Sequence, residues 1–123
     1  MQLLILAALI YAASLAVNDQ AVAACVTTPV RYHFQNETIV SNAIVDSGHS
    51  CIHRRGAGGR SRFTGYSVVE RPRNGSLAQA GQFIVTYRPT AGFRGQDTYA
   101  IRICGTSGGR SGCSTIRYQT TVR

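Results

Sequence analysis

The chain contains neither lysine nor tryptophan, and its acidic residues number only five. All thirteen basic residues are therefore arginine, and the formal charge is +8. A calcium site takes about six to eight oxygen ligands. The carboxylates here are Asp19, Glu37, Asp46, Glu70 and Asp97, spread along the chain with no D-x-D pair, so no calcium loop is expected. No C-x-x-C pair occurs, which removes the usual zinc spacing. Proline stands at 3, and the 13 glycines follow no G-x-y period, which excludes collagen. No nucleophile-elbow or comparable catalytic motif is present, so no catalytic residue and no cofactor is assigned. The length of 123 residues allows one domain at most.

What is present begins with an address. Residues 3–17 form the apolar run LLILAALIYAASLAV, too short for a spanning helix of roughly 20 residues. The polar break Asn18-Asp19-Gln20 and the small residues Ala21-Val22-Ala23-Ala24 follow. That order is a secretory signal with its cleavage site, so residues 1–24 are read as a signal peptide and 25–123 as the mature domain. Val22-Ala23-Ala24-Cys25 also resembles a lipobox, which would make Cys25 an acylated anchor in a membrane. Asn18–Gln20 separate the apolar run from the cysteine and weigh against that alternative.

Four cysteines behind an export signal read as two disulfides. Along 97–104, Tyr99, Ile101 and Ile103 occupy one face, which places Cys104 on the outer one. In the last segment Ile116, Tyr118 and Val122 point inward, which places Cys113 outward. Two outward cysteines flanking 105–112 favour a cross-strand bond Cys104–Cys113, which leaves Cys25 with Cys51 by elimination.

Short β-rich runs separated by Gly, Pro and Asn occupy 29–34, 38–45, 50–53, 62–70, 76–78, 82–88, 98–104 and 114–122. Arg73-Asn74-Gly75-Ser76 is expected to form a hairpin turn, with Asn-Gly at positive φ. Residues 54–61 and 105–112 are expected to be surface loops, and 89–96 a connection between sheets. About seven short strands imply an all-β, two-sheet antiparallel sandwich.

The stretch 69–101 carries Pro72, Gly75, Ser76 and Leu77, then Thr86, Tyr87 and Pro89, then Gly92, Phe93, Gly95, Asp97 and Tyr99. This pattern resembles the tandem Ig-like and cadherin-like repeats of bacterial surface proteins. The resemblance implies an immunoglobulin-like Greek-key sandwich and a role in adhesion or envelope architecture. It stands here as a single unit behind a signal, with added cysteines. In the residues themselves, Phe93 is expected to plug the core end, and Asp97 to accept backbone N–H groups at a turn.

The remaining candidates are chemical. His49-x-Cys51-x-His53 could converge on one strand face as a metal set, against two exposed histidines beside a disulfide. Arg54, Arg55, Arg60 and Arg62 crowd a glycine-rich loop, while Arg71, Arg73, Arg88, Arg94, Arg102, Arg110 and Arg117 alternate outward. The first four form a candidate polyanion site, since a guanidinium fork fits phosphate or carboxylate. The alternative is a solvated surface. An exported chain meets lipopolysaccharide phosphates, acidic polysaccharide or anionic lipid, and export argues against nucleic acid. The expectation is a secreted or periplasmic, non-enzymatic binding module of the cell envelope.

Overall fold

A computed structural model of the chain describes residues 24–54 and 61–123. The expected signal segment, apart from Ala24, lies outside the described residues, as do Arg55 and Arg60. Eight strands form: β1 (Cys25–Thr27), β2 (Thr38–Val45), β3 (Cys51–Arg54), β4 (Ser61–Glu70), β5 (Gly75–Gly81), β6 (Ile84–Pro89), β7 (Gly95–Ser107) and β8 (Arg110–Val122). A five-stranded sheet runs β1-β2-β8-β7-β4 and a three-stranded sheet runs β3-β6-β5. Every pairing is antiparallel except β2 with β8, which is parallel. Among the described residues the molecule is all-β, with the two sheets enclosing one core.

Period-two alternation builds that core. Tyr99, Ile101 and Ile103 of β7, Ile116, Tyr118 and Val122 of β8, and Val85 and Tyr87 of β6 are all buried. Three tyrosines stack through its middle: Tyr87 on Tyr99 at 4.6 Å and Tyr99 on Tyr118 at 5.1 Å between ring centroids. Fully burying side chains of this kind stabilises by about 1.5–3 kcal/mol each. Two disulfides add to it. Cys104–Cys113 joins directly opposed residues of the β7–β8 hairpin, and Cys25–Cys51 links β1 of one sheet to β3 of the other. In this structure the sulfur of Cys25 is bonded to that of Cys51.

The structure departs from the sequence reading in five places. The parallel β2–β8 pair breaks the expected all-antiparallel pattern, because β2 runs alongside β8 rather than returning from it in a hairpin. β1 (Cys25–Thr27) is a strand that the sequence reading does not include, held by pairing with β2. Residues 29–34 form no strand. Their backbone is satisfied by side chains instead: Glu37 accepts from the N–H groups of His33 and Gln35, and Ser114 Oγ from that of Phe34. Phe34 and Asn36 take φ of 51° and 60°, which no ladder tolerates.

Arg73–Ser76 is not a hairpin. β4 lies in the large sheet and β5 in the small one, so this segment crosses between them. Gly75 serves there by lacking a Cβ, which would collide with the Tyr87 ring and the Arg88 carbonyl.

Residues 105–112 are mostly strand rather than loop. β7 runs to Ser107 and β8 starts at Arg110, leaving only Gly108 and Gly109 in the turn, at φ of 57° and 80°. Positive φ at both positions is the two-residue turn that fits strand twist.

Candidate functional site

The registers bring three connections to one end of the molecule. Arg54 at the end of β3 opposes Ile84 at the start of β6. Ile84 in turn opposes Gly81 at the end of β5, across the turn Gln82–Phe83. Arg62 at the start of β4 opposes Thr106, and Ser107 opposes Arg110 at the β7–β8 turn. The β3–β4, β5–β6 and β7–β8 connections therefore share this end. Arg54, Arg62 and Arg110 are all exposed there. Of the four arginines singled out from sequence, Arg54 and Arg62 fall at this end, and Arg55 and Arg60 lie outside the described residues.

Aromatic rings support this end from beneath. Phe63 lies 5.3 Å from Phe83, 5.8 Å from Tyr32 and 6.0 Å from Phe34 between centroids. Gly105 and Gly112 admit Phe34. A Cβ at Gly105 would strike the Phe34 ring and the Arg62 carbonyl, and one at Gly112 the Phe34 carbonyl oxygen. Phe83 takes a φ of 61°, an uncommon conformation for a bulky side chain.

Charge at this end is unbalanced. Among the described residues, none of Arg54, Arg62 and Arg110 pairs with a carboxylate; the ion pairs are Arg117–Glu70 at 3.4 Å and Arg123–Asp46 at 3.0 Å. Asp46, Glu70 and Asp97 lie towards the opposite end, just past the end of β2, at the end of β4 and near the start of β7. Glu37 is already engaged. Burial disfavours its charge, but the Ser114 hydroxyl and the backbone N–H groups of His33, Glu37 and Gln35 outweigh that and hold its carboxyl down to about 2. Ser114 is fully buried beneath it and acts as a strut of the 28–37 segment.

The His49-x-Cys51-x-His53 set does not converge. His49 is exposed ahead of β3, and Cys51 is spent in its disulfide. His53, one of the two histidines read as exposed in the structural alternative, is buried instead. Its ring stacks on Tyr118 at 4.0 Å, and its Nε2 lies 2.6 Å from the Tyr99 hydroxyl. Its ring is thus not part of the exposed surface. Among the described residues no group of three metal-ligating side chains forms.

Asp97 takes the role read for it. Its Oδ1 accepts from the N–H groups of Arg73 at 3.0 Å and Thr98 at 3.1 Å. Its Oδ2 accepts from Asn74 N–H at 3.2 Å and the Tyr87 hydroxyl at 2.7 Å. Phe93 packs against the core nearby. Sequence reasoning missed Arg110 as a neighbour of Arg54 and Arg62. The Gly108-Gly109 pair was the available signal, since it fixes the hairpin tip.

Compared with known proteins, the chain matches no family model and no curated sequence.

Proposed function

We propose that this chain is an exported, non-enzymatic immunoglobulin-like module that binds anionic glycan of the cell envelope or extracellular space through its arginine-bearing end. The carrying observation is that Arg54, Arg62 and Arg110 share one end of the molecule, with no carboxylate partner among the described residues. Arg55 and Arg60 lie between Arg54 and Arg62 in sequence, outside the described residues.

Several features support the rest of the reading. The orders β3-β6-β5 and β8-β7-β4 fit those of an immunoglobulin-like sandwich, whose loops gather at its two ends. The motif from Gly92 to Tyr99 adds the resemblance to bacterial Ig-like and cadherin-like repeats. Two disulfides suit an oxidising compartment outside the cytoplasm, and export by the N-terminal segment would supply it as secretion or periplasmic delivery. Among the described residues no helix is long and apolar enough to cross a membrane. Loops on a rigid sandwich are the usual place for binding groups.

The test is titration of disulfide-bonded 25–123 with polygalacturonate and with dextran sulfate at rising NaCl. Binding should weaken steeply with salt. An exposed charge contact is worth about 0.5 kcal/mol, so Arg54→Ala, Arg62→Ala and Arg110→Ala together should weaken it about tenfold. Salt-independent binding, or a triple variant that binds like the parent, overturns the reading. So does binding confined to anionic lipid vesicles.

A further inference from the structure

The opposite end of the molecule holds a second feature. A polar groove of about 270 Å³ opens between the β4–β5 crossing and the start of β7. Arg71 and Arg73 line it, both exposed and neither paired with a carboxylate among the described residues. Pro72 between them biases Arg71 towards extended backbone, which puts residues two apart on one side.

Two carboxylates border the same groove, and both are committed elsewhere. Glu70 pairs with Arg117 across the sheet at 3.4 Å. Asp97 is almost fully buried and accepts from three backbone N–H groups and the Tyr87 hydroxyl. Neither forms an ion pair with the two guanidiniums among the described residues. The remaining lining is neutral and polar. Gln96 donates its amide nitrogen to Thr121 at 2.9 Å, which leaves its carbonyl oxygen free to accept. The Asn74 carboxamide is uncommitted among the described residues, and Thr98 lines the same space.

We propose that this groove is a separate site for one acidic sugar residue, its carboxylate held by Arg71 and Arg73 and its hydroxyls by Asn74, Gln96 and Thr98. The chemistry of the lining selects this class. Two forked donors fit a planar carboxylate. Neutral donors and acceptors around them fit a ring of hydroxyls, which a bare inorganic anion would leave unused. The volume is on the scale of a single pyranose. The site lies at the end opposite Arg54, Arg62 and Arg110, so it does not rest on the function proposed above.

Amide NMR of disulfide-bonded 25–123, titrated with galacturonate, tests it. Saturable shifts are expected at Arg71, Arg73, Asn74, Gln96 and Thr98, with none from galactose. Acetate at equal concentration should give at least about tenfold weaker effects, because the hydroxyl contacts are missing. Arg71→Gln with Arg73→Gln should abolish the shifts. That variant keeps the fold, because Asp97 holds the Arg73 backbone rather than its side chain. Gln96→Ala should weaken galacturonate while leaving acetate unchanged. The Arg54, Arg62 and Arg110 triple variant should bind galacturonate like the parent, which separates failure at one end from failure at the other. No shifts at the groove, equal effects from acetate, or shifts only at the Arg54 end would each overturn the proposal.

Discussion

The hydroxyl of Tyr87 donates to Oδ2 of Asp97 at 2.7 Å, inside the core. This bond ties the middle strand of the small sheet to the first turn of β7 in the large one. The same carboxylate fixes the Arg73–Asn74 crossing through backbone N–H groups. One side chain thereby sets how the chain passes from sheet to sheet.

Replacing it should therefore be costly. Asp97→Ala leaves three backbone donors and one hydroxyl without their acceptor. An unsatisfied buried donor costs about 1–3 kcal/mol, and some of these regain water, so a loss of about 3 kcal/mol is expected. For a domain of this size, that lowers Tm by roughly 10–20 °C. Tyr87→Phe removes one bond and should cost about 1 kcal/mol. Thermal unfolding followed by circular dichroism checks both, and equal losses would refute the shared-acceptor account.

The two disulfides should differ in weight. They close segments with sequence separations of 26 and 9 residues. Chain entropy alone assigns about 3.5 kcal/mol to the longer and about 2.6 kcal/mol to the shorter. Cys51 is also fully buried, while Cys104 and Cys113 are half-buried. Replacing Cys25 and Cys51 by Ala should thus lower the urea midpoint more than replacing Cys104 and Cys113. Intact mass with and without reductant establishes beforehand that both bonds are present.

Glu37 should shape the acid limb of stability. Its carboxyl titrates at about 2 in the folded chain, lowered by Ser114 and the backbone N–H groups against an opposing burial effect. A depressed folded pKa contributes stability above the unfolded value of about 4.5, and that contribution is lost as pH falls towards about 2. Glu37→Gln should flatten the stability profile across that window. Denaturant melts at pH 2, 3, 4 and 6 would show it, and an unchanged slope would exclude Glu37 as the titrating group.

Tyr87 and Tyr99 predict the alkaline limb. Burial pushes both hydroxyls well above their ordinary value, with the Asp97 bond adding to it at Tyr87. A raised folded pKa means that the unfolded chain ionises first. Stability from these residues is therefore present below about pH 10 and lost above it. Absorbance at 295 nm should show phenolate from these two residues only together with the loss of β-sheet signal.

Gly112 should resist substitution. A Cβ there meets the Phe34 carbonyl oxygen, a backbone atom that cannot swing aside. Gly112→Ala should cost about 1–3 kcal/mol through overpacking. Gly48→Ala offers a contrast, because open space surrounds that position and only its φ of 82° opposes the change. Comparable destabilisation at both sites would mean that backbone conformation, rather than the close approach of Phe34, decides the cost.

The sequence alone determined the faces of β7 and β8. Alternation of Tyr99, Ile101 and Ile103 with Arg102 and Cys104 leaves one way to bury the strand, because a slip by one residue would expose the whole apolar set. The bounds of β2 and the cap at Asp97 were legible for the same local reason, since period and turn chemistry act over a few residues.

Tertiary structure decided the rest. His53 alternates like its neighbours, and the stacked Tyr118 and the Tyr99 hydroxyl help make its burial tolerable. Residues 29–34 carry strand-forming side chains, yet Glu37 and Ser114 take the N–H groups of His33 and Phe34. Gly75 reads locally as a turn glycine, but the Tyr87 ring, 12 residues on, sets its use. Arg110 joins Arg54 and Arg62 only because the register of β7 and β8 brings the hairpin tip to the end where β3 gives way to β4. Apart from the local Glu37 bonds, these depend on partners distant in sequence, and local pattern carries no record of them.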